Sequence, residues 1–325
     1  MSNMNQYDVA PLEGITGYVF RDIHHRHFPG VRKYYIPFIE PKPNAKKIFT
    51  GRELGDILPE HNEGIPVVPQ ILTNKWEDFL WTAGHLQEYG YTEINWNVGC
   101  PAKTVVSKNR GSGFLAFPEE IDEFLYRVFE KTDLKISVKT RIGRDTAEEF
   151  DQLLEIYEKY PLEELVIHPR TQKDFYGNTP DLDAFEKAAN CRKFPIIYNG
   201  DIQTAEDLNR IQMRFPDIML YMMGRGVLRN PQLIENLQQG TLPDKQRIWD
   251  FLEDLKESYN RELSGETVVL FKLKEIWCYM IKLFDNPGKL AGKLRKAKHL
   301  SDYELAARSI FEECEIKEND ICSNC

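Results

Sequence analysis

No run of apolar residues in this chain approaches the roughly 18 needed to cross a bilayer, which excludes a membrane-spanning helix. Met1 to Phe20 has no basic segment leading into an apolar one, so no secretory signal is expected. Cysteine is sparse: six residues, at 100, 191, 278, 314, 322 and 325, too scattered for a disulfide framework. A reducing cytoplasm is the expected compartment. No GxGxxG follows the first expected strand, which argues against an open doubly wound sheet. Metal is not expected either. The neighbouring histidines of His24-His25-Arg26-His27 do not converge on one ion from a helix. Cys322-Ser323-Asn324-Cys325 has no second ligand pair at zinc-finger spacing and reads as a frayed tail. What remains, 42% hydrophobic and 29% charged residues in a chain of 325, is an ordinary globular composition with ample core.

From residue 7 to about 236, short apolar runs alternate with amphipathic stretches. Strands are expected at Tyr7–Pro11, Tyr34–Glu40, Pro66–Leu72, Glu93–Val98, Lys135–Thr140, Glu164–His168, Pro195–Asn199 and Ile218–Met223. Helical segments such as Trp76–Tyr89, Pro118–Lys131, Ala147–Tyr160 and Ala205–Met213 follow them, with Asp145 expected as an N-cap and Glu148 as its capping-box partner. Strand–helix units in this number over this length predict an α/β chain folded as a (β/α)8 TIM barrel over 1–241. After Leu242-Pro243-Asp244 the alternation stops, and 242–325 is expected to form a small all-helical domain.

Barrel active sites form at the C-terminal strand ends. Those ends carry Pro11, Glu40, Gln70, Asn97 with Cys100, Lys139 with Arg141, His168 with Arg170, Asn199-Gly200-Asp201, and Gly224-Arg225-Gly226. So much polar, glycine and proline character at consecutive ends points to an enzyme. Cys100 stands behind a β-leaning run, where Gly99 and Pro101 force a turn. It is either an acid, base or nucleophile, or one more small buried hydrophobe. The last two glycine turns lead into helices and suit a phosphate, with Arg225 adding a charge-assisted bond; alone, either turn needs no more than tight geometry. Lys139 is a solvated strand terminus or, in a flavin site, a cation at the N1–C2=O edge. Gln70 can donate to and accept from a pyrimidine edge. His168, with Arg170 two residues on, is a structural histidine or a contact for a ribityl-phosphate chain.

The formal charge is −9, yet Lys272 to His299 holds eight lysines and arginines against Glu275 and Asp285, a local +6. Lys289, Lys293 and Lys296 fall on one helical face, with Arg295 and Lys298 beside them, a pattern suited to a phosphate backbone. The loop after Cys100 adds Lys103, Lys108 and Arg110. Gly111-Ser112-Gly113 is expected to let that loop close.

The chain resembles the tRNA-dihydrouridine synthases. The resemblance rests on Ala10-Pro11-Leu12-Glu13-Gly14-Ile15-Thr16, Asn97-Val98-Gly99-Cys100-Pro101, Val138-Lys139-Thr140-Arg141, His168-Pro169-Arg170-Thr171, Asn199-Gly200-Asp201 and Gly224-Arg225-Gly226. These motifs run in the expected order along the whole barrel, and NxGCP is the specific one. The resemblance implies an FMN flavoprotein, an oxidoreductase that reduces one uridine of tRNA to 5,6-dihydrouridine with NADPH or NADH as reductant. Cys100 would protonate C5 of uracil while FMN delivers hydride to C6. Pro11, Gln70, Lys139, His168, Asn199, Gly200, Asp201, Gly224 and Arg225 would bind FMN. Asn97 would orient flavin and uracil. Arg141 and Arg170 would contact substrate or cofactor, and Lys103, Lys293, Arg295 and Lys296 would hold tRNA. A monomer is expected. The alternative is an FMN barrel oxidoreductase acting on a free small molecule. Asn95, Trp96, Gly17 and Pro169 depart from the family pattern, and Asn95 and Trp96, beside the cysteine, are the first suspects for which uridine is chosen.

Overall fold

The computed structural model describes residues 5–43, 45–190 and 193–317. Its strands are β1 Gln6–Val9, β2 Lys33–Tyr35, β3 Val67–Val68, β4 Gln70–Ile71, β5 Glu93–Val98, β6 Lys135–Gly143, β7 Leu165–Thr171, β8 Ile196–Tyr198 and β9 Leu220–Met223. They form one sheet in the order β3-β2-β1-β9-β8-β7-β6-β5-β4. The two edge strands of that order are one stretch of chain divided by Pro69, which has no N–H to give a ladder. Its carbonyl still accepts from Asn95 N at 2.9 Å. Joined across Pro69, the nine strands become the eight of a closed (β/α)8 barrel. Parallel neighbours require long crossovers, and these carry helices such as Trp76–Glu88, Pro118–Lys131, Glu149–Tyr157 and Leu182–Ala189.

Residues in register share a face of the sheet. Ala10, Tyr35, Val68, Val166, Ile197 and Met222 form one buried apolar cluster drawn from six places around the ring. Lys139 lies in register with both Asn97 and Val166, and Asn95 with both Gln70 and Ser137, so these polar residues share that inner face. Towards the N-terminal strand ends, Lys33 lies 2.7 Å from Glu93 and 3.0 Å from Glu164, and the Tyr35 hydroxyl donates to Glu164. Outward-facing Trp96 is fully buried, stacked on Phe124 at 3.9 Å between ring centres and donating to the Thr73 carbonyl. That packing directs Trp96 into the helical layer rather than into the barrel mouth.

Several details differ from the sequence expectations. β2 ends at Tyr35 rather than Glu40, and Pro66–Leu72 is reduced to the two short strands on either side of Pro69. β6 and β7 run on to Gly143 and Thr171, with a register shift between Arg141 and Gly143. The next helix is not capped by Asp145. Glu149 reaches back and accepts from the N–H groups of Arg144, Asp145 and Thr146 at 2.7, 3.0 and 3.0 Å. A carboxylate in the first turn does this with favourable charge as well as geometry.

The chain divides into two compact units: Met1–Pro11 with Lys33–Gly200 and Arg214–Met222, and Leu12–Arg32 with Asp201–Met213 and Met223–Cys325. The first holds the sheet as far as Met222. In the second, the helix Lys245–Glu262 begins at Asp244, whose side chain accepts from the N–H groups of Gln246 and Arg247. Helices Glu266–Met280, Gly288–Lys296 and Leu300–Glu313 follow. Its core includes Phe20, Phe251, Trp277, Phe284 and Ile310, with Trp277 Nε1 donating to Tyr303 at 2.9 Å. His24 is buried there among Phe20, Phe28 and Phe251, its Nε2 2.9 Å from the Pro231 carbonyl.

Candidate active site

The turn after β5 fixes Cys100 through its backbone. Asn97 Oδ1 accepts from Gly99 N at 3.1 Å and Cys100 N at 3.0 Å, an Asx-type turn. A Cβ on Gly99 would press within 3.3 Å of the Thr140 carbonyl carbon, so glycine lets β5 and β6 stay close here. From the other side, Ser112 donates both N–H and Oγ–H to the Cys100 carbonyl, at 3.0 and 2.9 Å. Gly111 has φ +54° and no room for a Cβ, which would sit 2.6 Å from that carbonyl oxygen. Gly111, Ser112 and Gly113 are all buried. The expectation that these glycines free a loop to close is therefore corrected: they permit tight packing against the cysteine.

A chain of buried amides supports the turn. Asn95 Nδ2 donates to Ser137 Oγ at 3.0 Å, Gln70 Nε2 to Asn95 Oδ1 at 2.7 Å, and Asn97 Nδ2 to Gln70 Oε1 at 2.7 Å. Each link sets the orientation of the next amide, so Asn97 presents its oxygen to the turn. Asn95 acts inside this relay. It is buried completely, one strand face away from Trp96.

The electrostatics favour a protonated thiol. Burial pushes the Cys100 pKa up; the bond to the Ala102 backbone and the charges of Lys139 and Arg141 oppose this, and Glu40 adds to it. A raised thiol pKa keeps the proton on sulfur at neutral pH, as a general acid requires. Lys139 is half-buried, and burial, with Arg141 second, pulls its ammonium down to about 7. It has no hydrogen-bond or ion-pair partner among the described residues.

The neighbouring arginines are committed to the backbone. Arg141 is buried and donates to the carbonyls of Gly99, Thr171 and Phe175 at 3.0, 2.8 and 2.7 Å, with its guanidinium over the Tyr176 ring. Arg170, also buried, donates to Asn178 O at 2.6 Å and lies 3.0 Å from His168 Nε2. His168 packs against Tyr176 at 5.8 Å. Asn199 donates to the Met222 carbonyl at 2.8 Å. Gly200 is required by packing, because a Cβ there would collide with the Tyr198 hydroxyl. Pro11 is half-buried at the end of β1, and Lys103 is exposed just beyond Cys100.

The first unit thus brings together Gln70, Asn97, Cys100, Lys139, Arg141, His168, Arg170 and Asn199. Asp201, Gly224, Arg225, Lys293, Arg295 and Lys296 belong to the second unit. There Arg225 pairs with Asp201. Lys293, Arg295 and Lys296 are exposed on the helix Gly288–Lys296, without ion pairs among the described residues. The histidine run holds other partners: His24 meets the Pro231 carbonyl, and His27 lies 2.7 Å from Asp254. Cys322 and Cys325 lie outside the described residues.

Sequence reasoning missed Ser137 and Tyr176; it placed Glu40 at a strand end and Ser112 in a loop free to close, without foreseeing their effect on Cys100. Strand alternation carries a signal for Ser137, two residues before Lys139. Tyr176 carries none, since it follows an irregular turn in which Phe175 adopts φ 49°.

Comparison with known proteins identifies the family. A family model described as "Dihydrouridine synthase (Dus)" matches residues 8–289. The tRNA-dihydrouridine synthase B of Vibrio parahaemolyticus is 28% identical over 246 residues, covering 74% of this chain and 74% of that protein. The tRNA-dihydrouridine(20/20a) synthase of Vibrio cholerae is 27% identical over 320 residues, covering 93% of this chain and 92% of that one. Among solved structures, morphinone reductase superposes with TM-score 0.50 at 15% identity, over 74% of this chain and 87% of its own. That likeness concerns the barrel fold alone.

Proposed function

The chain belongs to the dihydrouridine synthase family, and from that premise we propose that it reduces a uridine of tRNA to 5,6-dihydrouridine with a bound flavin mononucleotide. The observation that carries this reading is a proton-bearing Cys100, fixed by its backbone, within the field of a partnerless Lys139 on the barrel's inner face. An ammonium partly withdrawn from water and without a partner is costly unless an electron-rich group meets it. The N1–C2=O edge of a flavin is such a group, so the residues present fit the cofactor. Lys139 would hold its ring and Pro11 would lie along it, with His168 towards its side chain. Gln70, engaged by Asn95 and Asn97, would have only its second amide N–H and remaining lone pair for the ring. For Asn199, Gly200, Asp201, Gly224 and Arg225, a phosphate role rests on the resemblance.

When bound, the flavin supplies hydride to C6 of the uracil and is recharged by NADPH or NADH. The residues of this chain do the rest. Conjugation of the C5–C6 bond to the C4 carbonyl makes C5 basic once C6 has received hydride, and Cys100 Sγ gives it a proton. The thiolate left behind lies in the field of Lys139 and Arg141, both of which favour the charged form. It regains its proton from solvent. Asn97 acts by holding the turn, and Arg141 and Arg170 by tying the surrounding loops to their carbonyl partners, with any substrate contact left to their remaining N–H groups. The target base must leave its stack to reach this depth. Exposed Lys103, Lys293, Arg295 and Lys296 supply charge for the phosphate backbone. A monomer working in the cytoplasm completes the reading.

The test is direct. The purified protein should be yellow and, with NADPH and unmodified tRNA, should form dihydrouridine detectable by mass spectrometry. Cys100→Ala should keep flavin reduction by NADPH but lose roughly 10²–10⁴-fold in reoxidation by tRNA, the usual worth of a general acid. Full turnover in that variant would remove the cysteine from the chemistry.

A further inference from the structure

The helix Glu266–Met280 presents Thr267, Leu270, Phe271 and Lys274 at i, i+3, i+4 and i+7, which is one face. Along that face, with Ala297 and Lys298, lies a cleft of about 210 Å³. Leu270 and Ala297 form a buried apolar floor. Phe271 stands 64% exposed and its neighbour Val268 44% exposed, an aromatic ring and a branched aliphatic left to water beside a formed hollow. Lys274 Nζ donates to the Ala297 carbonyl, which fixes an ammonium in the cleft wall. The volume is below the roughly 300–1,000 Å³ of sites for drug-sized ligands. One flat ring system fits; a whole cofactor does not.

Charge narrows the choice of occupant. Lys289, Lys293, Arg295, Lys296 and Lys298 are exposed on the adjoining helix Gly288–Lys296 and just beyond it, and none has an ion-pair partner among the described residues. The acids nearest in sequence include Glu275 and Asp302, both exposed, and Glu266, which already accepts from Leu300 N and lies 3.6 Å from His299. An open aromatic face surrounded by unneutralised cations matches a nucleic-acid strand, where a base stacks on the ring and its flanking phosphates meet the lysines. The rest of the chain carries −15, the −9 of the whole less the +6 of this window, so charge alone would also admit a second copy. The exposed ring beside the cations favours a base, and the test below separates the two.

We propose that this cleft takes one unstacked base of the tRNA strand, stacked on Phe271, with Lys274 and Lys298 at its phosphates. The proposal rests on the tRNA reading above and adds a second base-recognition point to it.

The experiment measures affinity for unmodified tRNA, and KM in dihydrouridine formation, for the full chain and for Phe271→Ala, Phe271→Leu and Phe271→Trp. Circular dichroism and flavin content check the fold of each variant. Loss of one stacked base weakens binding roughly 5- to 150-fold in Phe271→Ala, with Phe271→Trp restoring it and Phe271→Leu not. Unchanged binding in Phe271→Ala overturns the proposal. So does full binding by Phe271→Leu, which would mean apolar packing without stacking. Competition by uridine monophosphate as effective as that of a single-stranded oligonucleotide would assign the cleft to free nucleotides, and a dimer dissociated by Phe271→Ala would assign it to a second copy. If the full chain binds tRNA through Phe271 yet forms no dihydrouridine, this inference stands and the proposed reaction falls. If it forms dihydrouridine and Phe271→Ala binds equally well, only this inference falls.

Discussion

Asn97 should matter to catalysis without touching the transferred proton, and its two replacements Asn97→Ala and Asn97→Asp separate how. Its oxygen accepts from the Gly99 and Cys100 N–H groups and its nitrogen donates to Gln70. Alanine leaves three polar groups unpaired in a buried or half-buried setting. At about 1–3 kcal/mol for each such group, less what water and relaxation recover, Asn97→Ala should lose roughly 3–5 kcal/mol. That is a large share of the ~5–15 kcal/mol typical of a folded protein. Aspartate restores the acceptor for both N–H groups but removes the donor to Gln70. It also adds a negative charge beside a thiol whose pKa is already raised by burial. Asn97→Asp should therefore recover much of the stability, while the alkaline limb of its kcat profile moves to higher pH. Urea melts and a pH series of tRNA-dependent flavin reoxidation provide the two readings. If Asn97→Ala reoxidised at the wild-type rate, or if Asn97→Asp shifted no limb, the turn would not be what places the proton donor.

Lys139→Met should stabilise the cofactor-free protein and weaken FMN binding by roughly 10- to 150-fold, the worth of one charge-assisted hydrogen bond. A methionine variant that is less stable yet binds flavin equally well would contradict the partnerless ammonium. His24 is fully buried and its pKa is lowered to about 4, burial being the main cause. With an unfolded value near 6.5, stability is complete above pH 6.5 and is lost as pH falls towards 4, at up to about 1.4 kcal/mol per unit. Between pH 7 and 5 the wild type should thus lose up to about 2 kcal/mol more than His24→Gln, which can still donate to the Pro231 carbonyl; equal losses in urea melts would refute this. Replacing Lys293, Arg295 and Lys296 by alanine should flatten the salt dependence of tRNA affinity by up to about three in log–log slope, and an unchanged slope would clear that helix of phosphate contact.

Much of the barrel was legible because strand alternation and turn residues are local signals. Glu93–Val98 and Pro118–Lys131 lie where the sequence puts them. The errors arise where a distant partner decides. Asp145 looks like a cap, but Glu149 captures the N–H groups of Arg144, Asp145 and Thr146. Gly111-Ser112-Gly113 looks flexible until the Cys100 carbonyl is seen to occupy the space of a side chain. Trp96 sits one residue from the amide relay, yet pleating turns it onto Phe124. Arg141 reads as a reagent and proves to be a clamp on carbonyls from three segments. Phe271 was invisible for the opposite reason: an apolar residue at helical spacing reads as core until its exposure is known.

The break at Pro69 leaves β4 a strand of two residues. It meets β5 through the pairs Gln70–Asn95 and Ile71–Trp96, as few as join β1 to β2, β2 to β3 and β8 to β9, and here the first pair also carries the amide relay. Side chains therefore add to the backbone stitching at this seam. During folding, the proton donor's turn cannot settle until this seam has shut, because Asn97 takes its orientation from Gln70 across it. The turn that places the thiol and the pairing of β4 with β5 then form together. A chain caught with the seam open would hold a loose, misdirected thiol, so incompletely folded copies are silent rather than miscatalytic.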